Sequence, residues 1–471
     1  MKYSEVFYPQ TLNGQALVLA PEAVLTPEGL QPDYALVLEN SRFKDCGPRA
    51  GIESRYAGLK LVHLPGRLIM PGFVDTHQHL AQAFGKALAF GEPSEIFQRI
   101  WVPLEGFLTE ELIYLSAKLA AFEALRGGFT TVADAGARND GDLGLLAQAA
   151  EESGLRCVLG FICNDFPNSP APPDSDGILK RADKHLSRFD SGGLITPSLA
   201  ISIPECASDR MLKAVYERCH EAGRVFQTHV NEHLVAVERS IVARRLRPLE
   251  HLAKAGALGP ATLCAHSTLV TPLELNLLRD KGAAVSYNPV ASCWKGNAVS
   301  PAWQMNALGI RLGLGTDGTR SDGFRLMDAA EAAQRLSTGL SVGDFSCGGG
   351  ALWLNMASGG GADVLGLGRT TGAIAPGLAA DFLVVDLEVP EFVPSWDLPW
   401  DLVRLANRCQ IEAVFVNGRL RLERGWPVDW DGRALMARIK ELALAAVEQA
   451  PIVRLHGCTG QYAAFRKEAG I

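Results

Sequence analysis

The chain lacks any run of about 18 uninterrupted apolar residues, so no membrane-spanning helix is expected. Its first ten residues, MKYSEVFYPQ, contain no apolar stretch of the secretory type. Cysteine is sparse and scattered: ten residues from Cys46 to Cys458 form no CxxC pair and no regular framework. That excludes a disulfide scaffold and fits reduced thiols in a cytoplasmic protein. Positive charge is in deficit, with 45 Lys and Arg against 52 Asp and Glu and a net charge of −7. That balance argues against sequence-independent nucleic-acid binding, which needs a basic face. Internal repeats and low-complexity segments are also missing. The expected partners are therefore small molecules, not nucleic acid or membrane.

What is present is an ordinary globular composition, 47% hydrophobic and 21% charged over 471 residues. Residues 14–65 hold short β-like runs, QALVLAPEAVLT, YALVLENSRF and LKLVHLP, divided by Gly, Pro and Asn turns. From 66 to 370 short apolar runs alternate with helical patterns. The runs are RLIMPGFVDTH, FTTVADAG, RCVLGFI, VFQTHV, ATLCAHS, AAVSYNP and IRLGLGTDG. Each crossover is long enough for a helix, which implies parallel strands. About eight of them over roughly 300 residues predict an α/β fold, a TIM-like (β/α)8 barrel. Strand character returns after 370 in GAIAPGLAADFLVVDL and IEAVFVNGRLRLERG. The expected organisation is a composite β domain, sandwich-like, from 1–65 and 371–430, a barrel over 66–370, and a C-terminal helix and tail over 431–471.

The histidines fall at particular points of this scheme. His77 and His79 end the first barrel run, and strand alternation turns both rings to one side. His229 ends VFQTHV, His266 ends ATLCAHS, and Asp317 closes IRLGLGTDG. In a parallel barrel these ends gather at the C-terminal mouth. Imidazoles and a carboxylate converging there can bind one divalent ion, zinc or iron, with a position left for water. Glu232 follows His229 by three residues, a spacing that puts a proton-transferring carboxylate beside such an ion. His63, His185, His220, His251 and His456 lack strand-end placement and read as structural or surface residues; His233 has no evident role.

The motifs PGFVDTHQHL (71–80), THVNEH (228–233), AHS (265–267), LGTDG (314–318) and GAIAPGLAADFLVVD (372–386) resemble the amidohydrolase superfamily, in its aminohydrolase and chlorohydrolase branch. The likeness covers nearly the whole chain. It implies a mononuclear metal held by His77, His79, His229 and Asp317, with His266, Glu232 and Asp317 as the catalytic groups. No strand-end lysine suits a bridging carbamate, which favours one ion. A homo-oligomer is implied by the family alone. The activity implied is hydrolytic removal of an exocyclic amine from a purine, pterin, pyrimidine or triazine. Dechlorination and cyclic-amide opening are the alternatives, and a silent scaffold is a third, disfavoured because every ligand is retained.

Substrate contacts are carried over by position. Gln82 stands where relatives place a substrate-facing glutamine, and Glu105, in WVPLEGFLT, where a carboxylate meets ribose hydroxyls. Ser202 and Tyr287 replace histidines of the nucleoside-acting branch, and Trp294, Lys295, Arg320 and Asp322 depart from the usual loops. Trp101 and Trp294 can stack on a flat ring or pack in the core. Lys295 and Arg320 can serve the pocket or the surface.

Overall fold

The computed structural model describes residues 16–92, 96–138, 141–166, 174–190, 192–318, 320–343, 346–455, 467–468 and 470. His456 lies outside them. Eight parallel strands follow one another around a barrel, each hydrogen-bonded to the next. They are β1 (Phe73–Gln78), β2 (Phe129–Asp134), β3 (Arg156–Ile162), β4 (Ile195–Ile201), β5 (Phe226–Val230), β6 (Thr262–His266), β7 (Ala284–Tyr287) and β8 (Arg311–Leu314). The seam between β8 and β1 is bridged beyond the strand by Asp317 N–H donating to the His77 carbonyl at 2.8 Å. β4, ITPSLAI, is the strand missing from the seven apolar runs. Pro197 and two hydroxyl residues interrupt its apolar pattern, yet it pairs with β3 from Ile195 to Ala200.

A second, mixed sheet of nine strands joins both ends of the chain. Its central strand Lys60–Pro71 pairs in parallel with Leu17–Thr26 and antiparallel with Phe382–Asp386. The apolar run 67–74 therefore serves two sheets, and the strand passes through the residue-65 boundary expected from sequence. The break is Gly72, where a Cβ would sit 2.2 Å from the Thr130 side chain. Inside this domain Phe43, Phe382 and Phe415 are fully buried, and the last two stack at 4.4 Å. Such aromatic burial contributes several kcal/mol per domain. Helix Gly432–Gln449 starts at Asp431, whose carboxylate accepts from Arg433 N and Ala434 N, and buries Leu435 and Ala446.

The two units are tied together at the N-terminal end of the barrel. Arg156, at the start of β3, donates to Asp381 at 3.0 and 3.3 Å, and Thr371 Oγ1 and Asn417 N complete that carboxylate at 2.7 and 2.6 Å. This rigid base leaves the C-terminal mouth free to carry irregular backbone.

Candidate metal centre and its cavity

Each histidine ring of the mouth is aimed by the end of its strand. Alternation brings His77 and His79 to one side, with ring centroids 4.9 Å apart. Asp75 accepts from His77 N at 3.2 Å and from Thr316 N and Oγ1 at 2.9 and 2.6 Å, which fixes the LGTDG turn against β1. Gly315 permits that approach: a Cβ there would lie 2.3 Å from Asn288 Oδ1 and 3.0 Å from the His77 Cβ. Asn231, His266, Ser267 and Asp317 all have left-handed backbone, with φ of 50°, 71°, 48° and 55°. Non-glycine residues adopt that region at a cost, and its concentration at one mouth marks a site built for side-chain direction.

The donor atoms converge. Ligand atoms of His77, His229, His266 and Asp317 all lie within 4.8 Å of one another. His79 joins them, its Nε2 3.2 Å from His229 Nε2 and 3.4 Å from Asp317 Oδ1. His77 Nε2 is also 3.4 Å from that oxygen. His229 Nδ1 donates to the Ser202 carbonyl at 2.6 Å, so its Nε2 carries the lone pair. The Nε2 atoms of His77 and His266 are buried without a hydrogen-bond partner. Burial pushes the imidazoles of His79 and His266 down to about 4 and about 3, and His229 well below its usual value. Neutral rings with inward lone pairs beside a carboxylate are the donor set of a zinc-type ion, and the residues fit it.

Two carboxylates and one ammonium complete the centre. Lys295 Nζ lies 2.6 Å from Glu232 Oε1 and 2.5 Å from Asp317 Oδ2. Burial alone would raise the Glu232 and Asp317 carboxyls. For both, the attraction of the Lys295 ammonium prevails over burial. Both are held well below the carboxylate range. Burial likewise lowers Lys295, but the two anions raise it further. A lysine so held stays an ammonium and does not offer the neutral amine a carbamate needs. Glu232 Oε2 is 3.6 Å from His266 Nε2, beside the donor cluster, and His233 Nε2 is 3.2 Å from Glu232 Oε1.

The cluster floors a cavity of about 130 Å³ that opens to solvent. Gln82, Trp101, Ser202 and Trp294 line it, as do His79, His229, Glu232 and Asp317. Glu105 is set back and 1% exposed, accepting from Gln82 Nε2 at 2.6 Å and from Arg138 N and a guanidinium nitrogen of Arg138 at 2.8 Å. Two further expected contacts stand elsewhere. Tyr287 is fully buried in the core, its hydroxyl donating to the Ala330 carbonyl at 3.3 Å and accepting from Gln334 Nε2 at 3.0 Å. Ser286 points into the barrel to meet Thr76 Oγ1 at 2.6 Å, so alternation turns Tyr287 outward. Arg320 is 45% exposed and pairs with Asp322 at 3.1 Å, outside the cavity wall. Lys295, of the two residues read for pocket or surface, lines the cavity; Arg138, Arg239, His233 and Glu205 line it without having been singled out for it. The one local signal that could have found any of them is the position of His233, directly after Glu232. His185 and His251 are buried structural rings, bonded to the Leu159 carbonyl at 2.9 Å and to Asp209 at 2.7 Å.

Residues 68–421 match the Amidohydrolase family. A 5-methylthioadenosine/S-adenosylhomocysteine deaminase of Syntrophobacter fumaroxidans is 27% identical over 441 residues, covering 92% of this chain and 97% of its own. A 5'-deoxyadenosine deaminase of Methanosarcina mazei is 28% identical over 429 residues, 87% and 92% of the two chains. Among solved structures, a zinc-bound adenosine deaminase from Xanthomonas campestris superposes with a TM-score of 0.84 at 26% identity, over 92% of this chain and 98% of that one. A zinc complex of atrazine chlorohydrolase from Arthrobacter aurescens TC1 shares the fold, with a TM-score of 0.80 at 19% identity over 92% and 100%.

Proposed function

The chain belongs to the amidohydrolase family, and we propose that it is a metal-dependent hydrolytic deaminase that takes an exocyclic amine from an N-heterocycle, adenosine-type nucleosides first among its candidates. The observation that carries this reading is Glu232, a partly buried carboxylate 3.6 Å from His266 Nε2 and adjacent to the donor cluster without belonging to it. His77, His79, His229 and Asp317 would hold the ion, zinc as in the solved neighbours. When bound, the ion supplies Lewis acidity that brings the pKa of water near neutrality. Glu232, a carboxylate at the start, takes one proton of the attacking water and passes it to the ring nitrogen, and the second water proton goes to the departing amine, which leaves as ammonia. His266, its Nδ1 3.2 Å from Asn288 Nδ2, orients the attacked group. Asp317 accepts a proton from the attacking water. Trp101 and Trp294 form flat walls suited to a planar ring.

The relatives named as acting on methylthioadenosine, S-adenosylhomocysteine and deoxyadenosine support a nucleoside substrate. The test is a panel of aminated purines, nucleosides, pterins, pyrimidines and triazines assayed with the zinc content measured. Ammonia release supports the reading. Chloride release or ring opening without ammonia identifies the chlorohydrolase or cyclic-amide chemistry instead. The reading also carries a cytoplasmic homo-oligomer. Nine described cysteines, all unpaired, support the compartment, and light scattering checks the assembly.

A further inference from the structure

A polar group buried without a partner costs the folded chain roughly 1–3 kcal/mol. In the wall of a cavity, such a group is one that a ligand can satisfy. Outside the metal cluster, one cavity-lining carboxylate among the described residues has this character. Glu205 sits on the short turn Pro204–Cys206 that follows β4, and neither of its side-chain oxygens has a hydrogen-bond partner. Three residues earlier on the same segment, the Ser202 carbonyl holds His229 Nδ1 at 2.6 Å. The turn is thereby anchored to the metal cluster at one end and carries Glu205 along the cavity at the other.

The carboxylate that position would assign to ribose hydroxyls is Glu105, and it is set back from the cavity and bonded to the protein through both oxygens. Oε1 accepts from Gln82 and the Arg138 guanidinium, Oε2 from Arg138 N, and the residue is 1% exposed and absent from the cavity wall. Its hydrogen bonds hold Gln82 and Arg138, both of which do line the cavity. The Arg138 guanidinium in turn lies 4.5 Å from the centre of the Phe97 ring. Glu105 is thus a brace for the wall. We propose that Glu205 is the specificity-determining residue that receives the hydroxyl donors of a ribosyl substituent on the ring, the task Glu105 cannot perform here. This rests on the deaminase reading above and names the part of the substrate that the cavity reads.

The test compares adenosine with 2',3'-dideoxyadenosine and with free adenine on zinc-loaded wild type, Glu205→Ala, Glu205→Gln and Glu105→Gln. Wild type is expected to prefer the riboside over the dideoxynucleoside by at least about tenfold in kcat/KM, one hydrogen bond to a charged group being worth at least that. Glu205→Ala should bring that ratio towards one through KM, with zinc content and melting temperature kept as controls of folding. Glu205→Gln, which still accepts a hydrogen bond, should keep part of the ratio. Glu105→Gln should depress all three substrates together. A wild type that treats riboside and dideoxynucleoside alike, or a Glu205→Ala variant that keeps the ratio, overturns the assignment and leaves the deaminase reading intact. No ammonia from any heterocycle of the wider panel overturns the deaminase reading, and the assignment with it.

Discussion

The two ends of the barrel bury the same kinds of residue and treat them in opposite ways. At the N-terminal end, Asp381 receives four hydrogen bonds, from two nitrogens of Arg156, from Thr371 and from Asn417 N. At the C-terminal end, His77 Nε2, His266 Nε2 and both oxygens of Glu205 are buried and unpartnered. A completed buried network resists rearrangement and fixes one structure. An incomplete one leaves bonding capacity directed at something that arrives later. The difference separates scaffold from site more sharply than residue type does.

The largest test of that division lies at the mouth. Glu232→Gln keeps the shape and loses the carboxylate proposed to transfer protons, so kcat is expected to fall by about 10²–10⁴-fold with zinc content unchanged by elemental analysis. A variant near wild-type activity would remove Glu232 from the chemistry. At the base, Asp381→Asn leaves the buried Arg156 guanidinium uncompensated and is expected to cost about 3–5 kcal/mol in urea unfolding. KM and kcat of the folded fraction should stay within twofold; a change in KM would mean the base is not the passive scaffold described here.

Tyr287→Phe sharpens the comparison from inside the core. It removes two hydrogen bonds of a residue that faces away from the cavity, and a loss of about 1 kcal/mol in stability with KM unchanged is expected. A raised KM would return Tyr287 to the substrate contacts. The smallest effect belongs to the surface. The Arg188 guanidinium holds the Asp142 carboxyl down from 3.8 to about 2. A depressed carboxyl binds its proton more readily in the unfolded chain, so this contribution is complete above pH 3.8 and is lost as pH falls through 2. Because Asp142 is 58% exposed, solvent screening limits the effect to about 0.5 kcal/mol. An acid-unfolding series of Asp142→Asn against wild type should differ above pH 3.8 and converge near pH 2.

Much of the centre was legible because strand periodicity is local. His77, His79, His229, His266 and Asp317 end or follow β1, β5, β6 and β8, and parallel strands bring such ends together. Tyr287 and Arg320 were misplaced for a related reason: motif position identifies a residue but not the face it takes, and β7 alternation turned Tyr287 outward. β4 escaped the list of apolar runs because Pro197 disguised it.

The sequence by itself determined the barrel, the strand-end ligand cluster and the family chemistry, since each follows from periods of two and from spacing along a few residues. Only the tertiary structure decided that Lys295 lies between Glu232 and Asp317, 63 and 22 residues away. The same holds for Arg138 occupying Glu105 and for Glu205 lacking a partner. Those side chains leave helices and turns, where no local repeat sets direction. Their partners are chosen by how the loops pack over the finished barrel.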